Sequence, residues 1–150
     1  RTRVHARPGQ DGYKARGALA GAASAMARKT CGEAPVVVVV EPSHAPALHG
    51  CIQAGDFIAA TGPGSAMGRL DCLEASLIAL KGLAKDADVF ALISEEEGQA
   101  GANSSATHQM EHAPFGAAGL SGLLSSSAHR TALKLDANSH VLVILSDGPA

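Results

Sequence analysis

Tryptophan is absent from this 150-residue chain, tyrosine occurs once and phenylalanine three times. Any core must therefore be built from Val, Leu, Ile and Ala, whose packing depends on shape more than on aromatic stacking. Cysteine is nearly as scarce. Cys31, Cys51 and Cys72 form no C-x-x-C pair and leave an odd number, which excludes a disulfide framework or a zinc ribbon. A reducing compartment, the cytoplasm, is the expected setting. Charge is balanced to a net of -2, so neither a nucleic-acid surface nor a polybasic membrane patch is expected. Apolar runs stay short of membrane-spanning length; the longest, PVVVVV at 35–40, has the length of a buried strand. The chain opens on Arg1 with nothing that reads as a signal peptide. From its opening RTRVHA and closing ILSDGPA it is expected to be a piece of a longer protein.

What is present describes a globular chain, 46% hydrophobic and 17% charged. Its length suits one domain, 1–150, better than two. RTRVHAR reads as a short strand leading into the loop PGQDG. Ala-rich KARGALAGAASAMARK, from Lys14 to Lys29, has strong helix formers and ends on basic residues. PVVVVVE is a continuous β-branched run of the kind buried on both faces of a parallel sheet. SHAPALHGCIQAG is a helix capped by Ser43 and closed by Gly55, followed by the glycine-rich loop ATGPGSAMG. CLEASLIALKGLAKDA sets Leu73, Leu77, Leu80 and Leu83 at helical spacing. DVFALIS is a strand, and SEEE a cap with an acidic first turn. GANSSATHQMEHAP reads as polar and irregular. FGAAGLSGLLSSSA recovers helical spacing through Leu120, Leu123 and Leu124, and HVLVILSDG is a last apolar strand. Strands alternating with helices predict an α/β fold with a mostly parallel sheet flanked by helices. Ligands in such folds sit at the carboxyl ends of strands, here near Pro8 to Gly12, Glu41 and Ser146.

HQMEH at 108–112 spells H-x-x-E-H, the inverted zinc-protease signature. That chemistry needs a helix to align His108 with His112, and a third ligand. Pro114 disfavours helical geometry just beyond His112, and no glutamate follows Glu111. His129, His140, Asp136 or Asp147 would complete a site only by coincidence of folding. The expectation is an accidental match and no metal. His5, His44 and His49 show no ligand spacing, and Cys72 reads as a small hydrophobe, not a nucleophile. Glu95 to Glu97 read as a helix-start charge cluster. Neither a G-x-S-x-G elbow nor a Walker loop occurs.

VVVVEP at 37–42, GPGSAMGRLDCLEAS at 62–76, FGAAGLSGLL at 115–124 and LDANSHVLVILSDGPA at 135–150 follow one another in an informative order. This succession resembles the later part of pyridoxal-phosphate enzymes of the tryptophan-synthase-β type. The resemblance is greatest to diaminopropionate ammonia-lyases, with serine and threonine dehydratases more distant. It covers almost the whole chain and implies a partial fold of that type, lacking the earlier part that bears the cofactor-binding lysine. Lys14, Lys29, Lys81, Lys85 and Lys134 match no such position, so no catalytic residue is assigned and the chain alone is expected to be inactive.

The resemblance also implies two cofactor contacts. The first is a phosphate turn of Gly9, Gln10, Asp11, Gly12 and Tyr13, whose backbone N–H groups would face the phosphate at a helix start. Asp11 stands where the family usually has glycine and would repel that phosphate. The second is Ser146, whose hydroxyl would meet the pyridine nitrogen. Further departures are Phe115 where a serine is frequent, Ala75 where a proline is common, and the polar stretch around His108. The implied parent is a cytoplasmic homodimer that converts a small amino acid such as 2,3-diaminopropionate to pyruvate and ammonia by β-elimination. The rival expectation is a non-catalytic α/β domain that binds a phosphorylated small molecule or a partner subunit. A zinc metallopeptidase stands third.

Overall fold

The computed structural model describes residues 17–148. The strand expected at RTRVHAR and the turn from Gly9 to Tyr13 lie outside them. The first described element is helix α1, Ala18–Cys31, whose last turn carries Arg28 and Lys29, where cations favour the helix dipole. Strand β1, Val38–Pro42, follows, then helix α2, Ala47–Ala54. A 3-10 turn at Gly68–Leu70 precedes helix α3, Leu77–Asp86, and strand β2, Val89–Ile93. Helix α4, Glu95–Thr107, and helix α5, Ala118–Ser125, complete the regular structure, with a second 3-10 turn at Ser126–His129.

β1 and β2 pair in parallel, Val38 opposite Val89 through Pro42 opposite Ile93. The strands' two-residue period sends Val39 to one face and Val40 to the other. Val39 joins Leu48, Cys51, Ala79, Leu80 and Leu83 from α2 and α3. Val40 packs against the cluster of Met67, Ile93 and Ala118 on the side of α5. The sheet thus lies between two helical layers, the α/β arrangement anticipated from the alternation of elements.

Two polar nodes set its ends. At the amino ends of the strands, the Arg28 guanidinium bonds Asp86 O (2.9 Å), Pro35 O (2.8 Å) and the Asp88 carboxylate (2.5 Å). The same Asp88 oxygen accepts Val37 N at 2.8 Å, so the last turn of α1 fixes where both strands begin. At the carboxyl end of β1, the buried Glu41 side chain accepts Leu48 N (2.9 Å) and His49 N (2.7 Å). Those N–H groups are the free donors of the first turn of α2. The expected cap at Ser43 is therefore wrong: the position before α2 is Pro46, which offers no side-chain bond, and Glu41 reaches across the turn instead.

Three other expectations are corrected. α3 starts at Leu77 behind a Ser76 cap, not at Cys72, so Leu73 lies outside the helix. GANSSAT, expected to be irregular, continues α4 as far as Thr107. Its weak helix formers are held by a full capping box between Ser94 and Glu97 and by packing of its small residues on α5. A Cβ added at Gly101 would overlap Ser121 Oγ, a closeness only glycine permits. HVLVILSDG forms no strand among the described residues; Leu142 is 89% exposed. Its later backbone groups bond instead to the segment before α5, with Ser146 N on Gly116 O and Ala113 N on Gly148 O.

Desolvation by burial raises the Glu41 carboxyl above its ordinary value, against the lowering effect of its two backbone donors. An acid with a raised folded pKa contributes stability that is greatest below its ordinary value of 4.5 and is lost as pH rises through the folded value. Glu41→Gln should therefore remove the loss of stability that the native chain shows as pH rises above 4.5, read from urea unfolding at each pH, while its amide nitrogen, set against one of the two backbone donors, costs about 1 kcal/mol at every pH. Glu41→Ala should cost about 1–3 kcal/mol at neutral pH, because buried donors at the start of α2 lose their acceptor.

Candidate functional site

The carboxyl ends of β1 and β2 are overlain by the glycine-rich stretch 60–70. It passes so close to the β1–α2 turn that a Cβ at Gly62 would overlap His44 O. Glu95, the first residue of α4, then anchors it. One carboxylate oxygen accepts Ser65 Oγ at 2.7 Å, the other accepts Ala66 N at 2.9 Å, and His44 Nδ1 stands 3.5 Å away. Met67 follows into the core at 1% exposure, its sulfur seated against Gly98. In the sequence Glu95 reads only as part of a charge cluster at a helix start. Its second role, holding a loop, depends on a contact thirty residues away along the chain and has no local signal. Glu96 remains on the surface, its carboxyl lowered chiefly by a hydrogen bond from its own backbone N–H and then by the Ser94 hydroxyl.

Between this loop and α4 lies a shallow cavity of about 330 Å³, lined by Ala66, Met67, Glu95, Glu96, Gln99 and Pro114. Its two carboxylates suit a cationic or amine-bearing group better than a phosphate. None of the described lysines lines it.

Ser146 is brought to the same end of the molecule by α5. Ala118 clusters with Ile93 at the carboxyl end of β2, and Gly122, one turn later, lies against Val40. Just before that helix Gly116 meets Ser146, and on it Gly119 meets Val143. Both sets of contacts run backwards along the chain as α5 advances, so residues 143–146 run parallel to β1 and β2 and finish at their carboxyl side. A Cβ at Gly116 would overlap Ser146 O, which makes glycine there a condition of the approach. The turn is tied further by His112 Nδ1, which donates to Asp147 O at 2.9 Å, and by the Arg69–Asp147 ion pair at 2.9 Å.

Ser146 is therefore fixed through its main chain, while its half-buried hydroxyl has no internal hydrogen bond among the described residues. A neutral hydroxyl at the carboxyl side of the sheet fits the donor expected to face a pyridine nitrogen. Gly9, Gln10, Asp11, Gly12 and Tyr13, the other expected contact, lie outside the described residues.

HQMEH is not helical. His108 is the residue that closes α4, Gln109 takes a left-handed φ of 62°, and 110–113 carry no regular structure. His108 and His112 are thus not stacked one turn apart, and His112 is engaged with Asp147 O. Among the described residues no group of three or more His, Cys, Asp or Glu side chains is placed to hold a metal. Cys72 is half-buried, not enclosed, and its thiol donates to Glu74 O at 3.0 Å; Cys51 is the buried one. No described helix is long and apolar enough to cross a membrane.

No protein-family profile and no curated protein sequence matches the chain. Among solved structures it is similar to a threonine deaminase from T.th., with a TM-score of 0.69 and 19% sequence identity. The match covers 84% of this chain and 44% of that one, so the chain spans less than half the length of the enzyme it resembles. At that identity the likeness shows the fold: an α/β arrangement matching part of a threonine deaminase.

Two measurements probe this geometry. His108→Ala combined with His112→Ala should lower unfolding stability by no more than about 1 kcal/mol, the worth of one exposed hydrogen bond, and elemental analysis should find no stoichiometric zinc in either protein. Glu95→Ala should release the overlying loop, so that amide exchange at Ala66 rises roughly tenfold, as expected on losing one charge-assisted bond, while α3 amides hold their protection.

Proposed function

We propose that this chain is part of a pyridoxal-phosphate-dependent ammonia-lyase that acts by β-elimination on a small amino acid such as 2,3-diaminopropionate, giving pyruvate and ammonia. The observation that carries the reading is the Ser146 turn, drawn by Gly116 to the carboxyl side of a parallel sheet in a fold shared with a threonine deaminase. The order of VVVVEP, GPGSAMGRLDCLEAS, FGAAGLSGLL and VLVILSDG supports it independently. Threonine deaminase as the structural likeness favours an amino-acid deaminating or eliminating reaction. The preference for diaminopropionate rests on sequence resemblance.

The cofactor, when bound, supplies an electron sink for charge that develops beside the scissile bond. In this chain Ser146 would hold the ring nitrogen by a hydroxyl that neither adds charge nor fixes a proton there. A ring so held withdraws electrons less strongly than one facing a carboxylate, which suits a β-leaving group whose departure relieves the charge. Gly9, Gln10, Gly12 and Tyr13 would offer backbone donors to the phosphate, and Asp11 would oppose it. Glu96, on the surface of the cavity beside the loop, offers a carboxylate for an amine-bearing substrate, while Glu95 adds its negative charge with both oxygens engaged by Ser65 and Ala66. Their charge speaks against the rival reading, a binding domain for a phosphorylated ligand, at that cavity. The complete enzyme is proposed to be a cytoplasmic homodimer.

The test joins this chain to a lysine-bearing amino-terminal half and follows cofactor absorbance and pyruvate release. The joined protein should release pyruvate and ammonia from diaminopropionate, whereas the 150-residue chain alone should not exceed a free-cofactor control. In the joined protein Ser146→Ala should change cofactor absorbance with little loss of affinity, and Asp11→Gly should tighten binding several-fold. A joined, folded protein that binds no pyridoxal phosphate would end the reading.

A further inference from the structure

The residue after Ser146 adopts a conformation that is uncommon outside glycine, although aspartate enters it more readily than most side chains. Asp147 has φ of 50°, in the left-handed region that favours glycine. Its carboxylate is not idle there: Oδ1 lies 2.9 Å from Arg69 Nη1. Arg69 is itself constrained. Its guanidinium lies over the Phe115 ring, 5.9 Å from the centroid, within cation–π range. The backbone beneath it bends at Gly68, φ 32°, where the Phe115 ring leaves only 3.4 Å to an added Cβ. The 3-10 turn that carries Arg69 belongs to the stretch anchored by Glu95 through Ser65 and Ala66 and by buried Met67. A continuous series of contacts therefore leads from the carboxyl end of β2, through Glu95 and the glycine-rich loop, to Arg69, Asp147 and Ser146.

We propose that Arg69 and Asp147 are a positioning pair: the ion pair, with Phe115 as a platform, holds a non-glycine residue in a left-handed turn and thereby sets the direction of the Ser146 hydroxyl. The assignment of that hydroxyl to a pyridine nitrogen rests on the reading proposed above; the latch itself does not. Phe115, a departure from the resembled family, acquires a reason here, because a serine would give Arg69 no platform. His112 steadies the same turn from the other side through Asp147 O, but it would do so for any residue at 147, since it touches only main chain. Arg69 acts on the side chain, and its effect must depend on an aspartate being there. That dependence separates a positioning role from general stabilisation.

The experiment is amide hydrogen exchange by NMR on the 150-residue chain, comparing Arg69→Ala, Arg69→Lys, Asp147→Gly and the double variant Arg69→Ala with Asp147→Gly. The diagnostic amides are Ser146 N, bonded to Gly116 O, and Ala113 N, bonded to Gly148 O. Arg69→Ala should speed their exchange roughly two- to fivefold, the scale of an exposed ion pair, with α3 and β1 amides unchanged. Arg69→Lys should fall between. In the Asp147→Gly background, where the turn needs no latch, Arg69→Ala should change nothing. An equal effect in both backgrounds, no effect in either, or faster exchange throughout the chain would each overturn the proposal. A pyridoxal-phosphate titration of the same variants, each joined to a lysine-bearing amino-terminal half, separates the two readings. If cofactor binds, Arg69→Ala must shift its absorbance in the direction that Ser146→Ala does, and an unchanged spectrum refutes the link to Ser146. If no cofactor binds while the exchange pattern holds, the cofactor reading fails and the latch stands.

Discussion

Close approach to α5 is the constraint on which the candidate site depends. This helix and the residue pair before it meet three different partners at glycines: Ser146 at Gly116, Val143 at Gly119 and Val40 at Gly122. With the two outer positions filled by even one methyl, either the sheet or the Ser146 turn would have to move. An added Cβ would stand 2.6 Å from Val40 at Gly122 and would overlap the Ser146 carbonyl at Gly116, both inside van der Waals contact. α4 closes on the same helix at Gly101. One short helix thus registers the sheet, the helix that carries the cavity's carboxylates and the turn that carries the candidate hydroxyl. Glu41 completes this order on the opposite layer, fixing α2 to the strand end.

Most of the helices and both paired strands are legible because their signals are local. A β-branched run, leucine spacing, a Ser94 cap with Glu97 three residues on, and Gly55 in a left-handed closing position each act within a few residues. The failures share a different cause. Ser43 reads as the cap of α2 because a hydroxyl before a helix is the usual local solution, yet a buried carboxylate seven residues before Leu48 holds the donors instead. GANSSAT lacks helix propensity, and its helicity comes from packing on α5, which no window of sequence contains. HVLVILSDG has the composition of a strand, but strand formation requires a neighbour with unpaired backbone groups. In the described residues its backbone bonds instead to the residues that open α5.

The candidate site divides along the same line. Order and resemblance identify Ser146, but neither reveals its surroundings. Glu95 reads as part of an acidic first turn, a correct local reading that leaves out its bonds to Ser65 and Ala66. Arg69 and Phe115 carry no signal for pairing, being far apart in the chain and joined only through folding. Conversely, HQMEH shows a pattern with no geometry behind it. Two histidines four apart imply a shared face only on a helix, and the left-handed Gln109 removes the helix between them.

A balance between rigidity and openness follows at the carboxyl side of the sheet. The loop over it is held by two carboxylate bonds from Glu95 and a buried methionine, so its main chain is poorly suited to act as a freely moving cover. The turn beyond it is held by main-chain bonds to the start of α5 and an ion pair to the loop. Loop and turn thus restrain each other, while the hydroxyl of Ser146 takes no part in either attachment. Groups that must face a ligand in a fixed direction are best held by contacts that leave their own functional atoms free. In this chain the main chain of the turn and the neighbouring aspartate hold the surroundings of Ser146, and its hydroxyl stays outside those attachments.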